Sequence, residues 1–355
     1  MLEPQFVAPR LTTLAAPFPY FGGKARIAGI VWQRLGDVTN YVEPFFGSGA
    51  MLLGRPDDHD WLQRSETVND ADGFVANFWR AVQADPDAVA AAADWPVNEN
   101  DLHARHAWLV GQRERVTARL EGDPDYYDAK VAGWWVWGMC AWIGGGWCSG
   151  RGPWIVDDGE LVDRRQLVHL GDAGQGINRQ LVHLGDAGRG INRKRVHLGN
   201  AGQGINRKRV HVETMMRELQ ERLRRVRVCS GDWKRVVPPS VTTRHGLTGV
   251  FLDPPYADTA SREADIYAMD SLRVAHDVRA WATLHGDDPK FRIALAGYEG
   301  EHDMPDTWSV VEWSARGGYG NQGNGAGRAN RHRERIWFSP HCLRDAAVSY
   351  TLRMW

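Results

Sequence analysis

The sequence predicts an α/β protein built on a mostly parallel sheet, and three observations lead to that fold class. Short apolar runs that end in glycine or an acid alternate with segments of helical spacing. Five more strand-like runs, VRVCSGDW, LTGVFLDPPY, FRIALAGY, TWSVVEW and RERIWFS, follow residue 225. The chain has 355 residues, 43% apolar and 25% charged, which is sufficient for a large hydrophobic core.

The first elements follow in order from these patterns. PFPYFGGK (17–24) is typical of a loop, and ARIAGIVWQRL after it has apolar residues at helical spacing. NYVEPFFGSGAML predicts a strand, a glycine turn and a helix start. ETVND predicts a second strand that ends in Asp70, and ADGFVANFWRAVQ predicts the next helix. The amphipathic segment ETMMRELQERLRRV predicts a helix before the later strands.

The pattern changes over residues 85–212, so we interpret 1–84 and 213–355 as one domain that carries an insertion. The insertion contains helical pieces, a tryptophan-rich stretch and a 14-residue repeat over 167–211. A period of 14 is too short for a helical-hairpin solenoid. Each copy could form a short strand and a glycine turn, and a mobile glycine-rich loop is the alternative. Trp134, Trp135, Trp137 and Trp142 are expected to be buried.

Charge, cysteine usage and hydropathy exclude several classes of protein. The net charge is −1, so any nucleic-acid surface must be a local patch. The four cysteines show no CxxC spacing, which favours reduced thiols over a disulfide frame or a zinc site. No signal peptide and no long apolar run is apparent, so we expect a cytoplasmic protein without a membrane partner.

Two motifs carry chemistry. The glycines of VEPFFGSGA would let a ligand approach the backbone, and Asp70 at the end of the next strand suits ribose hydroxyls. In DPPY, a carboxylate and a carbonyl not used in a strand ladder form an acceptor pair for an aromatic amine. The aromatic ring of Tyr256 could stack on the base that carries this amine, once the base is flipped out of the helix. The plain alternative is a strand end with a Pro-Pro turn and a surface tyrosine.

In this order, FPYFGGK, VEPFFGSGA and DPPY resemble the Dam-like (D12 class) DNA adenine-N6 methyltransferases. The resemblance covers roughly 17–84 and 213–340 and also includes CSGDW and RERIWFS. It implies a Rossmann-like S-adenosylmethionine-dependent methyltransferase sheet with an inserted target-recognition region. It also implies S-adenosylmethionine as cofactor, double-stranded DNA as substrate and a flipped adenine as target, with no metal required.

The resemblance assigns residues to each role. The catalytic set is Asp253, Pro254, Pro255 and Tyr256. The cofactor-binding set is Tyr20, Gly22, Gly23, Lys24, Glu43, Pro44, Phe45, Phe46, Gly47, Ser48, Gly49, Asp70, Asp232 and Asp253. Lys24 would meet the methionine carboxylate, Asp70 the ribose and Asp232 the region of the adenine. The plain alternatives are a surface charge for Lys24, a helix N-cap for Asp70 and a turn residue for Asp232.

The insertion resembles the family least well, so its predicted role rests on its charge. Residues 164–211 hold ten lysines and arginines against two acids, a net charge of +8 that suits phosphate contacts. The alternative is a solvated basic loop. One histidine per repeat could suggest a metal, but the cysteine and acid ligands are missing. The predicted DNA contacts are Trp147, Arg151, Arg179, Arg193, Lys194, Arg195, Arg207, Lys208 and Arg209, with Trp147 on an exposed loop.

The sequence therefore predicts a DNA adenine-N6 methyltransferase, monomeric or homodimeric, with a restriction endonuclease as a candidate partner. Two alternatives stay open. One is an N4-cytosine DNA methyltransferase, because both targets are exocyclic amines. The other is a DNA-binding protein whose catalytic centre has decayed.

Overall fold

The computed structural model describes residues 14–20, 24–56, 64–142, 147–148, 154–157, 160–163, 205–255, 273–313 and 333–344. The helices are α1 Ala28–Leu35, α2 Ala50–Leu53, α3 Gly73–Ala84, α4 Pro86–Ala93, α5 Glu99–Gly122, α6 Ala129–Ala141, α7 Ile205–Leu223 and α8 Val274–His285. The strands are β1 Asn40–Glu43, β2 Ser65–Asp70, β3 Trp154–Asp157, β4 Glu160–Asp163, β5 Val226–Ser230, β6 Thr248–Leu252, β7 Phe291–Tyr298, β8 Ser309–Glu312 and β9 Glu334–Phe338.

Seven strands form one mostly parallel sheet in the order β5-β2-β1-β6-β7-β9-β8. The pairings β5–β2, β2–β1, β1–β6 and β6–β7 are parallel, whereas β9 runs antiparallel to β7 and to β8. The strands β3 and β4 form a separate antiparallel hairpin. The prediction of a mixed α/β protein is confirmed, and the sheet is compatible with a Rossmann-like fold.

The central strands are buried on both faces. Every residue of β1 and of β6 is buried. Tyr41 and Phe251 face the larger hydrophobic core, which α1, α2 and α3 cover. Val42 and Val250 face a second core, which α8 and the 3-10 helix Trp233–Val236 cover. Strands without a solvated face need helices on both sides, as these two cores provide.

The order of the strands reverses between β1 and β6. From β1 the chain crosses through α2 to β2 on one side, whereas from β6 it crosses through α8 to β7 on the other. In open sheets of this kind, ligands bind in the crevice at the carboxyl ends of the strands where the order reverses. The carboxyl ends of β1 and β6 are Glu43 and Leu252. The glycine turn of VEPFFGSGA, which follows Glu43, and the DPPY motif, which follows Leu252, therefore both begin at this crevice.

The helices of the insertion add to the main core. Trp135 of α6 packs edge-on against Phe18, with ring centroids 4.9 Å apart, and is also near Phe78 of α3. Trp135, Trp137 and Trp142 are buried as expected, whereas Trp134 is only partly buried. The insertion therefore packs on α3 and does not enclose a core of its own in the described range.

The described end of the repeat region is helical. The repeat has three full copies, at 167–180, 181–194 and 195–208, and a truncated fourth copy that begins with RVHV at 209–212. The fourth copy lies within α7, which begins inside the third copy at Ile205. Neither a strand nor a loop, the two interpretations that were open for each copy, is formed at 209–212, because these residues are part of α7. Residues 164–204 lie outside the described residues. None of the helices in the described ranges has both the length and the apolar character that a membrane span requires.

Two glycines within helices provide a matched test of this packing. A Cβ at Gly133 of α6 would lie 2.4 Å from the Cβ of Ala92 and 2.7 Å from the carbonyl oxygen of Val89, both in α4. A Cβ at Gly111 of α5 would meet nothing within 4 Å. We expect Gly133→Ala to lower the free energy of unfolding by about 1–3 kcal/mol, since α4 and α6 must separate. We expect Gly111→Ala to raise it by about 0.4–1 kcal/mol.

Denaturant unfolding of the two variants beside the parent measures both effects. If both alanines stabilise the protein, the close approach of α4 and α6 is incorrect.

Candidate functional site

The turn after β1 depends on glycine at two positions. Gly47 has a φ of +48° and Gly49 a φ of +69°, a left-handed backbone that favours glycine. A Cβ at Gly47 would lie 2.7 Å from the ring of Tyr20, and one at Gly49 would lie 2.9 Å from the ring of Phe46. The turn is therefore held against aromatic rings of the chain itself, which occupy the space that a side chain at either glycine would need.

Hydrogen bonds fix this turn to the neighbouring elements. Trp79 of α3 donates its Nε1 hydrogen to the carbonyl oxygen of Gly47 over 2.9 Å. The backbone N–H of Phe46 donates to the carbonyl oxygen of Asn69 over 2.9 Å. The Asn69 amide donates to the carbonyl oxygens of Pro44 and Gly231, at 3.0 and 2.9 Å. Asn69 thus ties the turns after β1 and β5 together.

Asp70 closes β2 and faces the glycine turn. Its Oδ2 accepts from the backbone N–H of Gly47 over 2.8 Å, and its Oδ1 accepts from that of Asp72 over 2.9 Å. Asp72, whose side chain accepts from Phe74 N, is the N-cap of α3, so Asp70 is not a helix cap. Burial raises the pKa of Asp70 to about 7, although the two backbone hydrogen bonds act to lower it.

Glu43 closes β1 and carries a second carboxyl group, which is buried. It is 2% exposed and accepts a hydrogen bond of 2.9 Å from the hydroxyl group of Tyr41. Burial raises the pKa of Glu43 well above its usual value, and the charges of Asp253 and Asp70 act in the same direction. Three carboxyl groups, one from the end of each of three adjacent strands, therefore meet at the crevice.

Lys24 provides a cation at this cluster. Its Nζ lies 3.0 Å from Oδ1 of Asp253, the residue that directly follows β6. The Lys24 side chain is 5% exposed and that of Asp253 is 21% exposed, so Lys24 is not a surface charge. The ring of Trp313, after β8, lies 5.6 Å from the same Nζ. The loop before α1 thus contributes directly to the site at the end of β6.

Asp232 lies beside the cluster in the turn after β5. Its side chain accepts a hydrogen bond of 2.8 Å from the backbone N–H of Lys234 and caps the 3-10 helix. The preceding Gly231 donates its N–H to the carbonyl oxygen of Asp70 over 3.0 Å. The turn interpretation of Asp232 therefore holds, and the turn adjoins the strand end that carries Asp70.

The structure brings most of the predicted cofactor residues together. Pro44, Phe46 and Ser48 are buried in the turn after β1, and Phe45 packs on Trp233 with ring centroids 6.2 Å apart. Pro254 is buried and Pro255 partly buried after Asp253. The predicted residues Gly22, Gly23, Tyr256, Arg151, Arg179, Arg193, Lys194 and Arg195 lie outside the described residues. Arg207, Lys208 and Arg209 lie in the first turns of α7.

The expected exposure of Trp147 is wrong. Its side chain is 8% exposed, and its Nε1 donates to the carbonyl oxygen of Trp135 over 3.0 Å. Its ring also lies against those of His106 and Trp142, with centroids 5.2 and 5.3 Å away. Gly138 leaves room for this ring on α6, because a Cβ there would overlap it. Trp147 is therefore a packing residue in this conformation, and its position does not favour a DNA contact.

Sequence reasoning missed three residues of the site: Tyr41, Asn69 and Trp313. The signal for Tyr41 was present, since it precedes Glu43 by two residues in a strand and therefore shares its face. Asn69 and Trp313 act through contacts between distant segments, and no local pattern indicates them. Within the described ranges, no group of three histidine, cysteine, aspartate or glutamate side chains is arranged to hold a metal ion.

Comparison of the chain with protein-family models gave no match, and comparison with curated proteins gave none either. Membership of a family is therefore not shown, and the resemblance to the adenine methyltransferases stays a prediction.

The raised pKa of Asp70 predicts a specific dependence of stability on pH. The pKa of an unfolded aspartate is about 3.9, whereas burial raises the pKa of folded Asp70 to about 7. The folded state therefore holds the proton more tightly between these values. The contribution of this proton to the free energy of unfolding is complete below about pH 4 and is lost as the pH rises to about 7. The free energy of unfolding falls over this range with a limiting slope of about 1.4 kcal/mol per pH unit.

Asp70→Asn removes this titration and is the control. We expect the stability of the parent, relative to Asp70→Asn, to fall between about pH 4 and 7 and to stay level above that range. Urea unfolding of both proteins across this range measures the difference. A difference that is constant or rises with pH would show that Asp70 is ionised in the folded protein throughout.

Proposed function

We propose that this protein is an S-adenosylmethionine-dependent DNA methyltransferase that acts on N6 of adenine. The observation that carries the proposal is the 3.0 Å ion pair between Lys24 and Asp253 at the crevice. This ion pair joins FPYFGGK, the motif that the resemblance assigns to the cofactor, to DPPY, the motif that it assigns to the target amine. A methyl transfer needs these two groups side by side.

The residues around the crevice fit a nucleoside cofactor that carries an amino-acid group. Gly47 and Gly49 give the turn after β1 a left-handed backbone, which brings the Gly47 N–H to Asp70. Each oxygen of Asp70 accepts one backbone hydrogen bond, which leaves lone pairs for ribose hydroxyls. Lys24 supplies the positive charge that a carboxylate requires, and Asp232 is exposed beside the turn after β5. When bound, the cofactor would supply an electrophilic methyl group.

Asp253 is suited to hold an amine in place. Lys24 contacts its Oδ1, whereas in the described part of the chain no hydrogen bond is made to its Oδ2. The ion pair would orient the carboxylate, and Oδ2 would accept a hydrogen from the exocyclic amine. Pro254 follows directly and has no N–H, so the acceptor pair predicted from DPPY is compatible with this strand end. Stacking of the flipped base would fall to Tyr256.

The buried ion pair also bears on the two alternatives. A DNA-binding protein with a decayed centre would have no need to keep a lysine and an aspartate paired at 5% and 21% exposure, because such pairs are costly to bury. An N4-cytosine methyltransferase would use the same acceptors, and only the product separates the two. A restriction endonuclease remains a candidate partner.

Asp253→Asn tests the catalytic assignment. The amide keeps the size of the side chain but removes its charge and replaces one acceptor oxygen with a donor. We expect methyl transfer to DNA to fall by about 100-fold or more, while the protein stays folded. The measurement is labelled methyl incorporation into genomic DNA, followed by mass spectrometry of the nucleosides.

Asp37→Asn is the matched control, because Asp37 is exposed, pairs with Arg64 and precedes β1, at the opposite end of that strand from the crevice. We expect it to retain the activity of the parent. Near-normal transfer by Asp253→Asn would exclude Asp253 as the group that accepts the hydrogen of the target amine. A product that is only N4-methylcytosine would favour the rival enzyme.

Lys24→Gln tests the cofactor assignment. We expect the affinity for S-adenosylmethionine to fall by about 10- to 100-fold, since a charged hydrogen bond to the carboxylate is lost. The affinity for methylthioadenosine, which lacks that carboxylate, should change much less. Calorimetry with both ligands measures the two ratios. If both affinities fall equally, Lys24 does not bind the carboxylate.

A further inference from the structure

One arginine of the insertion reaches the turn that follows β2. Arg113 lies in α5, and its Nη1 is 3.2 Å from Oδ1 of Asp72, with side chains that are 25% and 18% exposed. Its Nη2 donates to the carbonyl oxygen of Cys148, in the segment after α6. Its guanidinium carbon lies 4.6 Å from the centroid of the Phe74 ring. Arg113 therefore joins the start of α3 to the segment after α6.

Asp72 connects Arg113 to Asp70. The backbone N–H of Asp72 donates to Oδ1 of Asp70 over 2.9 Å. The side-chain Oδ1 of Asp72, which Arg113 contacts, also accepts from the backbone N–H of Phe74 over 2.9 Å and so caps α3. A displacement of Asp72 would therefore move the N–H group that holds the Asp70 carboxylate.

The helix α5 also packs closely on this turn at a second point. Thr117 lies one helical turn after Arg113 on the same face of α5. A Cβ at Gly73, the first residue of α3, would lie 2.7 Å from Oγ1 of Thr117. The packing of α5 on the first turn of α3 thus brings Arg113 to Asp72.

Two effects of Arg113 on Asp70 act in the same direction. The charge of Asp72 acts to raise the pKa of Asp70, whereas the hydrogen bond from the Asp72 N–H acts to lower it. Arg113 neutralises that charge and holds that N–H in place. Both effects favour the ionised form of Asp70, and an ionised carboxylate only accepts hydrogen bonds, as ribose hydroxyls require.

We propose that Arg113 is a positioning residue, which holds the Asp70 carboxylate as the acceptor for the two adjacent hydroxyl groups of a ribose. The choice of a ribose rests on the proposed function, whereas the hold on Asp70 rests on the contacts of Arg113 and Asp72. The insertion would then take part in binding the cofactor.

The plain explanation is that Arg113 only fastens the insertion to α3, and Arg115 of the same helix provides the comparison. Arg115 pairs over 2.9 Å with Asp128, the N-cap of α6, as Arg113 pairs with the N-cap of α3. Within the described ranges, no hydrogen bond joins Asp128 to Asp70. Both arginines thus pair with a capping aspartate, but the pair of Arg113 adjoins the crevice.

The test is the affinity of the full chain for methylthioadenosine and for its 2′,3′-dideoxy analogue, measured by calorimetry. The ratio of these affinities reports recognition of the ribose hydroxyls. We expect Arg113→Gln to lower the ratio by about 10-fold, the effect of one hydrogen bond to a charged group, with little change for the dideoxy analogue. Arg115→Gln removes an equal charge and should keep the ratio of the parent.

Arg113→Lys should give an intermediate ratio, because a single ammonium keeps the charge but does not replace a planar fork that meets two acceptors. An equal loss of affinity for both ligands in Arg113→Gln, or an equal fall of the ratio in Arg115→Gln, would overturn the proposal. If Arg113→Gln does not fold, Arg113→Lys decides, and a ratio equal to that of the parent would overturn it.

Failure of the proposed function is recognised separately, as a parent that binds neither methylthioadenosine nor S-adenosylmethionine. The pH dependence of stability then tests Arg113, with Asp70→Asn in each background as the reference. In Arg113→Gln the fall in stability should extend to higher pH than in the parent, since both effects on Asp70 are lost and its pKa rises further. Glu43, which also interacts with Asp70, is unchanged in every variant. An unchanged pH range, or an equal extension in Arg115→Gln, would overturn the proposal.

Discussion

Burial of β1 and β6 on both faces is the constraint on which the rest of this structure depends. A parallel strand with no solvated face needs helices on both sides, and the chain meets this need by crossing in opposite directions from the two strands. The helices then diverge, and the carboxyl ends of β1 and β6 open into a crevice. The polar groups of the site are the first residues after these ends.

The crevice combines groups that are unfavourable in isolation. Glu43, Asp70 and Asp253 bring three carboxyl groups together, and their mutual repulsion adds to the cost of burial. The ion pair with Lys24 offsets this cost at Asp253. A hydrogen bond from the Tyr41 hydroxyl group offsets it at Glu43, and hydrogen bonds from backbone N–H groups offset it at Asp70. Each carboxyl group is thus stabilised by a different partner, although the three lie at neighbouring strand ends.

Local patterns were enough to predict the sheet, because apolar runs and glycine turns report directly on buried parallel strands. Every strand of the main sheet overlaps one of the apolar runs that the sequence analysis identified as strands. The pairing of Lys24 with Asp253 could not be predicted, since the two residues are far apart in the chain and meet only through the order of the strands. Trp147 shows the opposite limit. Its glycine-rich neighbours indicate a surface loop. Its ring is nevertheless buried, because it packs against α6 where Gly138 has no side chain.

The hydrogen bond from Trp79 to the carbonyl oxygen of Gly47 joins the glycine turn to α3, and the adjacent Phe78 packs on Trp135 of the inserted helix α6. A Cβ at Gly49 would also lie 3.0 Å from the Trp79 ring. The residues at positions 47, 49 and 79 therefore constrain one another, and a substitution at one of them would require changes at the others. A substitution in α6 that displaces α3 would therefore also displace the turn. We expect the insertion to diversify mainly in segments remote from that helix.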